Sequence, residues 1–507
     1  MLPPLSRLPE VRSLIDEGLY FVIHAPRQSG KTTFLRAMAT ELAAEGRYTA
    51  IYASCERAQA AGGDVERAVQ SVCRAIELQT RHFPPEQRPT SLDEFDNIEG
   101  ESRLRHWLTD FSERHPRPIV LFLDEVDALW DQSLVSVLRQ LRDGYVDRPA
   151  AFPHAIALVG LRDVRDYRAE LRPESGTLGT ASPFNIKSDS LLMPDFDEGQ
   201  VSSLLGQHED ETGQAFTDDA ARRVWQLTRG QPWLVNAIAR QATRVLVPER
   251  SKAIDEPVID EAKEKLILRR DTHLDSLIER LREERVQRVV GAVISGRLLP
   301  SDVLDDDIAY VENLGLLSSG SGGLEIANPI YREIVPRALT SVLERSMVLP
   351  SPSYVHADGG LDFPRLIDDF ETFWLQHAEA FLRRSPYSEA AAQLVFMAFL
   401  HKITNGKGGF VDREYAAGSG RVDLCIRWPR ADGVVERFAI ELKVWREGTA
   451  DPVDRGVEQL AAYLQRLDLG AGTLVIFDSR PQAPPLPERL RREQRRHGDA
   501  LIDVLWL

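Results

Sequence analysis

The chain has 507 residues and a formal net charge of −16, with 62 Lys and Arg against 78 Asp and Glu. Hydrophobic residues make up 43% and charged residues 28%, which excludes wholesale disorder, and the length predicts more than one domain. No apolar run approaches the ~18–20 residues that span a bilayer, and the N-terminus lacks the pattern of a secretory signal. Three cysteines are too few for a disulfide framework or a Cys-based zinc site. We therefore expect a soluble cytoplasmic protein with no membrane partner.

The negative charge lies mainly in the first 350 residues. Residues 351–507 carry 20 Lys and Arg and 23 Asp and Glu, a net of −3, so the preceding residues carry −13. The overall acidity argues against a nonspecific nucleic-acid coat protein, but a near-neutral C-terminal region is compatible with a nucleic-acid substrate. Residues 488–497 hold five arginines. We interpret this segment as a basic helix that either follows a phosphate backbone or pairs within the chain.

Residues 1–195 alternate short apolar runs with helical stretches. Buried strands that alternate with helices predict a parallel α/β sheet. Helices are predicted at 32–44 and 132–145. The predicted strands are the runs at 20–24, 48–54, 118–124 and 154–161.

The rest of the chain divides where its pattern changes. Residues 196–275 have apolar residues at helical spacing and predict a helical domain. Residues 276–348 predict two helices and a Gly/Ser turn between short strands, the outline of a winged helix. Residues 349–360 form a Pro/Gly/Ser-rich linker. Residues 361–507 predict two helices, strands at 410–415, 421–428 and 437–445, a helix at 453–467 and a strand at 473–478.

A phosphate-binding loop is predicted between the first strand and the first helix. The spacing Ala25-x-x-x-x-Gly30-Lys31-Thr32 is that of a P-loop with Ala at the first Gly position. Backbone N–H groups of the turn and the helix N-terminus would bind phosphate oxygens, Lys31 would reach the β- and γ-phosphates, and Thr32 would ligate Mg²⁺. The predicted ATP-binding residues are Ala25, Pro26, Arg27, Gln28, Ser29, Gly30, Lys31, Thr32 and Thr33.

Acidic residues follow the apolar run IVLFLD. Asp124 is placed to order Mg²⁺ through water, and Glu125 to polarise the attacking water. Arg162, after the fourth apolar run, is a candidate sensor of the γ-phosphate, with a surface turn as the alternative. These residues are compatible both with hydrolysis of the nucleotide and with a switch that only binds it.

The segments APRQSGKTT, FLDEVD and GQPWLVNA resemble AAA-like P-loop ATPases of the signal-transducing (STAND) type, close to the archaeal-ATPase and ORC-like families. The resemblance covers about residues 15–340. It implies an ATPase core followed by a helical lid and a winged helix, and a nucleotide state that gates an effector domain. It also implies that Pro232, in the motif Gly230-x-Pro232, approaches the nucleotide; the alternative is a simple helix stop and restart.

A carboxylate–lysine pattern lies in the C-terminal region. Glu441 and Lys443 are two apart on a predicted strand, so their side chains share one face, and Asp423 on the adjacent strand is placed to meet Glu441. Two converging carboxylates make an oxygen-rich site for Mg²⁺, with Mn²⁺ as a substitute. A neighbouring lysine can stabilise developing phosphoryl charge or orient a metal-activated water. The alternative is an ordinary half-exposed strand.

The order of these residues is similar to that of the PD-(D/E)XK nuclease superfamily, over about residues 361–480. The resemblance implies an α/β restriction-endonuclease-like fold and catalytic roles for the Asp and the Glu-x-Lys pair. It also implies that Glu389, on the preceding helix, is a further metal ligand; Glu414 ranks second for that role. Gln459 and Tyr463 match the accessory Q-x-x-x-Y helix of several subfamilies.

These observations predict an α/β protein: a P-loop NTPase with a parallel sheet, helical lid and winged helix, then a restriction-endonuclease-like domain. The leading hypothesis is an ATP-binding and ATP-hydrolysing regulator of a Mg²⁺-dependent nuclease. DNA is the expected substrate, and a homo-oligomer or a trigger protein the expected partner. By analogy, this architecture suits genome defence or mobile-element control. The alternative is a nucleotide-dependent switch, or a DNA- or protein-binding ATPase, whose nuclease fold does not cleave; a plain ATPase motor or loader ranks third.

Overall fold

A computed structural model describes residues 2–161, 187–269, 277–294, 299, 303–320, 323–347, 354–384, 390–404, 409–417 and 420–507. The chain divides into two compact units. The first comprises Met1–His273, Asp305–Gly323 and Ala327–Pro329, and the second comprises Leu274–Leu304, Leu324–Ile326 and Ile330–Leu507. The finer predicted domain boundaries remain predictions.

The first unit contains a five-stranded sheet whose neighbouring strands are all parallel, as the sequence predicted. The strand order is β2-β3-β4-β1-β5. The strands are β1 (Tyr20–His24), β2 (Thr49–Ser54), β3 (Ile119–Asp124), β4 (Ala155–Gly160) and β5 (Lys187–Leu192). Four of them coincide with the predicted apolar runs. The fifth, KSDSLL, was not predicted because polar residues interrupt it.

Helices cover both faces of this sheet, as parallel sheets require. They are α1 (Glu10–Asp16), α2 (Lys31–Glu45), α3 (Val65–Gln79), α4 (Gly100–Arg114) and α5 (Asp131–Gly144). Along the fully buried strand β3, Leu121 and Leu123 pack in the core with α3, α4 and α5, whereas Val120 and Phe122 pack in the core with α1 and α2. The carboxyl ends of β1 and β3 therefore lie at the same edge of the sheet.

The predicted helical character of residues 196–275 is confirmed over the part that the structure describes. The helices are α6 (Glu198–Thr212), α7 (Asp218–Thr228), α8 (Pro232–Gln241) and α9 (Glu256–Arg269), with a π-helical turn at Ala242–Leu246. Asp197 and Thr217 cap α6 and α7 by accepting backbone N–H bonds with their side chains.

The described part of residues 276–348 contains helices and strands in the order that the sequence predicted. They are α10 (Glu284–Ile294), α11 (Asp305–Asn313), β6 (Leu317–Gly320), β7 (Gly323–Ile326) and α12 (Pro329–Ser346). The division between the two compact units runs through this segment, and the winged helix remains a prediction.

The second unit contains a six-stranded mixed sheet in the order β12-β13-β11-β10-β9-β8. Strands β8, β9 and β10 are antiparallel neighbours, β10, β11 and β13 are parallel, and β12 is antiparallel to β13. The strands are β8 (Phe410–Ala417), β9 (Gly420–Pro429), β10 (Val435–Trp445), β11 (Ala471–Asp478), β12 (Arg491–His497) and β13 (Ala500–Trp506).

Helices also cover both faces of the mixed sheet. Ile440 and Leu442 of β10 pack in a core with α13 (Phe363–Arg384) and α14 (Ala391–Thr404). Ala439, on the opposite face, packs in a core with α15 (Val453–Leu467). This arrangement sets the direction of Glu441 and Lys443, because side chains alternate along a strand.

The predicted basic helix at 488–497 is wrong. Only Leu486–Arg489 forms a short helix, α16, and the arginines that follow lie on edge strand β12, which pairs with the apolar β13 through a tight turn at Gly498. Strand pairing with a largely buried neighbour overrides the local helical pattern. Several of these arginines pair within the chain, Arg492 with Asp368 and Glu371, and Arg495 with Glu493 and Asp454.

The cysteines Cys55, Cys73 and Cys425 are all buried and free. Among the described residues, no helix combines the length and the apolar character that a bilayer crossing requires.

Candidate functional site

The P-loop forms at the carboxyl end of β1. Positive φ angles fall at Gln28 (58°) and at Gly30 (87°), which caps helix α2, so the turn is closed without strain at Ala25. The Lys31 ammonium donates to the carbonyl oxygens of Ala25 and Pro26, at 2.7 and 2.8 Å. Burial lowers the pKa of Lys31 to about 8, although Asp127, Asp124 and Glu125 oppose the shift. A buried cation at a helix N-terminus makes this cradle a binding site for anions.

Asp124 joins β3 to the P-loop. It is 1% exposed, and its Oδ2 accepts hydrogen bonds from the Thr32 hydroxyl at 2.6 Å and the Tyr52 hydroxyl at 3.1 Å. The structure therefore brings together the two residues that the sequence assigned to magnesium. A buried carboxylate beside a helix-borne hydroxyl fits Mg²⁺, which prefers hard oxygen ligands.

Glu125 follows in a left-handed conformation with φ 54°. Burial raises its pKa, and the nearby charges of Glu56 and Asp124 raise it further. Glu125 lines the same cavity as Lys31 and Thr32. A carboxylate whose pKa is raised is better suited to accept a proton from water near neutral pH.

The nucleotide cavity has a volume of about 620 Å³. From the P-loop, Arg27, Gln28, Gly30 and Thr33 also line it, whereas Ala25 and Ser29 are buried. Helix α8 contributes Pro232, Trp233 and Asn236 to the cavity wall. The nucleotide contact that the resemblance implies for Pro232 stays a prediction. Arg162 lies outside the described residues.

Two residues that the sequence analysis missed support the acidic pair. Tyr52 reads as a core residue of β2, yet its hydroxyl bonds to Asp124. The Asp127 Oδ2 accepts the Leu161 N–H at 2.6 Å, and a Cβ on Gly160 would lie 2.9 Å from that carboxylate. Asp127 thus holds the acidic loop against the end of β4. In the sequence, only its place as the third acid of Asp-Glu-Val-Asp indicates a role for Asp127.

Gly230, at the start of the Gly-x-Pro motif, has a close backbone contact. Its φ is 81°, and a Cβ built on it would lie 1.7 Å from the carbonyl oxygen of Phe196. Any side chain at this position must displace the backbone before α8. The glycine therefore fixes where Pro232 enters the cavity wall.

We expect Gly230→Ala to lower the free energy of unfolding of the nucleotide-binding unit by at least about 3 kcal/mol. The left-handed conformation contributes about 1–2 kcal/mol, and the overlap with Phe196 adds the rest. Gly213→Ala is the matched control, because Gly213 has φ 75° but a Cβ on it would meet nothing within 4 Å. Calorimetry of both variants tests this. Equal losses would show that the contact with Phe196 is unimportant.

The second candidate site lies on the face of the mixed sheet that α15 covers. The Lys443 ammonium donates to Glu441 Oε1 at 2.6 Å and to Gln459 Oε1 at 3.0 Å, and the Gln459 amide donates to the Tyr463 hydroxyl at 3.1 Å. Glu441, Lys443, Gln459 and Tyr463, which the sequence analysis assigned to one candidate site, therefore form one hydrogen-bonded chain.

Asp423 lies where β9 separates from β10. The backbone pairing of these strands ends at Leu424 and Ile440, while β9 continues beside β8. Asp423 Oδ2 then accepts the Leu442 N–H at 2.9 Å, replacing the missing strand partner. This separation uncovers the edge of β10 beside Lys443.

Glu441 is completely buried. Burial raises its pKa well above the usual range, the charge of Asp423 raises it further, and Lys443 opposes the shift. Its Oε2 has no hydrogen-bond partner among the described residues. A buried carboxylate oxygen beside a second carboxylate costs free energy unless a cation or a proton compensates it. Asp423 and Glu441 therefore fit a divalent cation with oxygen ligands.

A cavity of about 590 Å³ opens at this edge of β10. Asp423 and Lys443 line it, together with Arg413, Arg446 and Arg455. These four cationic side chains outnumber the carboxylates of Asp423 and Asp451 in the cavity lining, which favours an anionic ligand. Glu389 lies outside the described residues, as does the side chain of Glu414.

Known proteins resemble part of this chain. The Walker-type ATPase PABY2304 of Pyrococcus abyssi is 17% identical, over 65% of this chain and 95% of that one, with a TM-score of 0.43. Cdc6p of Pyrobaculum aerophilum is 12% identical, over 67% and 94%, with a TM-score of 0.36. The RuvB Holliday junction branch migration motor of Thermotoga maritima is 16% identical, over 63% and 91%, with a TM-score of 0.34. Scores this low support no conclusion about function.

No curated protein sequence matches the chain. Residues 8–145, however, match the family model described as an AAA ATPase domain. That range contains β1, the P-loop, β3 and the acidic residues that follow it. The chain therefore contains an AAA-type ATPase domain, whose nucleotide is ATP.

Proposed function

We propose that this protein is an ATP-regulated, Mg²⁺-dependent nuclease that cleaves phosphodiester bonds through residues 361–507. The observation that carries the proposal is the convergence of Asp423, Glu441 and Lys443 around the end of β10. The hydrogen bond from Lys443 to Gln459 supports it, because that bond fixes the lysine beside the carboxylates.

Asp423 and Glu441 would hold the metal ion, with Mn²⁺ able to replace Mg²⁺. Bound there, the ion would supply a Lewis acid and lower the pKa of a bound water. Lys443 keeps a positive charge at the same place, suited to a developing phosphoryl charge. Gln459 and Tyr463 act through Lys443, since their hydrogen bonds restrict where its ammonium lies.

The charge around the cavity supports a nucleic-acid substrate. Arg413, Arg446 and Arg455 line the cavity beside Lys443, and cationic side chains neutralise backbone phosphates. DNA is the substrate that we propose, with a role in genome defence or mobile-element control. The free, buried cysteines suit a reducing compartment, and we propose the cytoplasm.

ATP would regulate this site from the first unit. Gly315 lies so close to the P-loop that a Cβ on it would be 2.8 Å from Cγ of Pro26. This glycine precedes β6, in the part of the chain that leads on to α12. A phosphate that reorders the P-loop would therefore act on this segment. Hydrolysis by Glu125 would reset the state, and a second copy or a trigger protein would bias it.

Incubating the purified chain with single- and double-stranded DNA and RNA, with Mg²⁺, Mn²⁺ or EDTA and with or without ATP, tests the proposal. We expect cleavage that requires the metal and responds to ATP. Intact substrates under every condition would contradict the proposal. That result would favour the alternative, a nucleotide-dependent switch that binds DNA or protein without cleaving.

A further inference from the structure

Arg7 is a buried arginine near the start of the chain, directly after the 3₁₀ turn Pro4–Ser6. It is 9% exposed. Its guanidinium donates to the carbonyl oxygen of Ser29 in the P-loop at 3.0 Å and to that of Pro194, just after β5, at 2.6 Å. It also lies 4.7 Å from the ring centroid of Phe196. One side chain thus contacts the P-loop and the segment that leads into the helical region.

Burying this cation is costly. Burial lowers the pKa of Arg7 to about 10, against the opposing charge of Asp195, whose own pKa burial raises to about 6. Among the described residues, the buried Nε of Arg7 has no hydrogen-bond partner. An apolar side chain of similar size would fill this space at lower cost. The arrangement therefore suits a role other than stability.

The contact with Ser29 sets the direction of a phosphate-binding group. The carbonyl of Ser29 and the N–H of Gly30 belong to one planar trans peptide, so they point in opposite directions. Holding the carbonyl on Arg7 turns the Gly30 N–H away from Arg7. Gly30 lines the nucleotide cavity, where P-loop N–H groups bind phosphate oxygens.

The other contacts of Arg7 lead to helix α8. The Phe196 N–H donates to the carbonyl oxygen of Gly230 at 2.9 Å, and no side chain fits between these two residues. Two residues later Pro232 begins α8 and lines the same cavity as Gly30. Arg7, Phe196 and Gly230 therefore form a continuous path from the P-loop to α8.

We propose that Arg7 is a positioning residue that couples the conformation of the P-loop to the placement of helix α8. Bound phosphate holds the Ser29–Gly30 peptide in one orientation. Arg7, which bonds to that peptide, then fixes the positions of Pro194 and Phe196 relative to the P-loop. Helix α8 closes on the nucleotide as a consequence. The proposal concerns the first compact unit alone and does not depend on the nuclease.

The test compares Arg7→Met, Arg7→Lys and the matched control Arg12→Met in the full chain. Arg12 is also an N-terminal arginine, but it pairs with Asp16 and Glu45. We expect Arg7→Met to weaken ATP binding about 10-fold, within the usual range for coupled sites, with a higher KM and a lower kcat. Arg7→Lys should recover part of the loss, because an ammonium keeps the charge but lacks the planar fork. Arg12→Met should bind ATP like the parent.

Limited proteolysis within residues 232–252, compared with and without ATP in each variant, gives a second readout besides affinity, and the Arg12→Met control reports on general destabilisation. At saturating ATP and Mg²⁺, we expect protection of this segment in the parent chain and in Arg12→Met but not in Arg7→Met. Phe196→Leu should also lose the protection, and the double variant should lose no more than either single one. Normal protection in Arg7→Met, or equal loss in Arg12→Met, would overturn the proposal. If Arg7→Met fails to fold, protection that persists in Phe196→Leu would overturn it.

Discussion

Glu441→Gln is expected to slow metal-dependent cleavage at least about 100-fold while ATP binding stays unchanged. Removing one preorganised electrostatic group from an active site costs about 10²–10³-fold in rate. The amide keeps the shape of the side chain but loses the charge that would hold the metal with Asp423. Because burial already disfavours the charged form of Glu441, a neutral glutamine should preserve the fold. Initial rates on the preferred substrate measure the effect.

The matched control is Glu436→Gln on the same strand. Glu436 is half-buried, pairs with Arg430 and accepts the Leu361 N–H, whereas Glu441 pairs with Lys443. We expect its cleavage rate to stay within about twofold of the parent rate, because partly exposed ion pairs contribute little. Full cleavage by Glu441→Gln, or equal losses in both variants, would contradict the assignment of the nuclease site.

Lys31→Ala is expected to weaken ATP binding at least about 100-fold. Each hydrogen bond to a charged group contributes about 1.5–3 kcal/mol, and the ammonium would make more than one with the phosphates. The fold should persist, because burial already penalises this charge. Fluorescent-nucleotide titration measures the affinity.

Lys252→Ala serves as its control, since Lys252 is an exposed residue of the same unit that pairs with Glu249. We expect parent affinity from it. Lys31→Ala should also lose any response of cleavage to ATP, while its basal nuclease chemistry remains. ATP binding of parent strength in Lys31→Ala would refute the P-loop assignment.

The sequence predicts the strands and helices whose burial produces a regular apolar pattern. Strands β1, β3 and β4 are buried on both faces, so they read as continuous apolar runs, and α15 shows apolar residues on one stripe. The arginine-rich strand β12 was misassigned because its partner, not its own residues, determines its structure.

The residues of the candidate sites also divide into those that the sequence predicts and those that only the structure shows. Lys31, Asp124, Glu441 and Lys443 stand in motifs whose spacing reflects local chemistry. Residues that act across the fold have no such signal: Arg7 reaches the P-loop from 22 positions earlier in the chain. Only the folded chain shows that Lys443 bonds to Gln459, since no spacing rule joins a strand to a following helix.

The most direct test of ATP-regulated cleavage is the initial rate of Mg²⁺-dependent DNA cleavage by the parent chain, Lys31→Ala and Glu441→Gln, each with and without ATP. We predict that ATP changes the parent rate, leaves the Lys31→Ala rate unchanged, and has no cleavage to act on in Glu441→Gln. Cleavage by Glu441→Gln at the parent rate, or a parent rate that ignores ATP, would contradict this function.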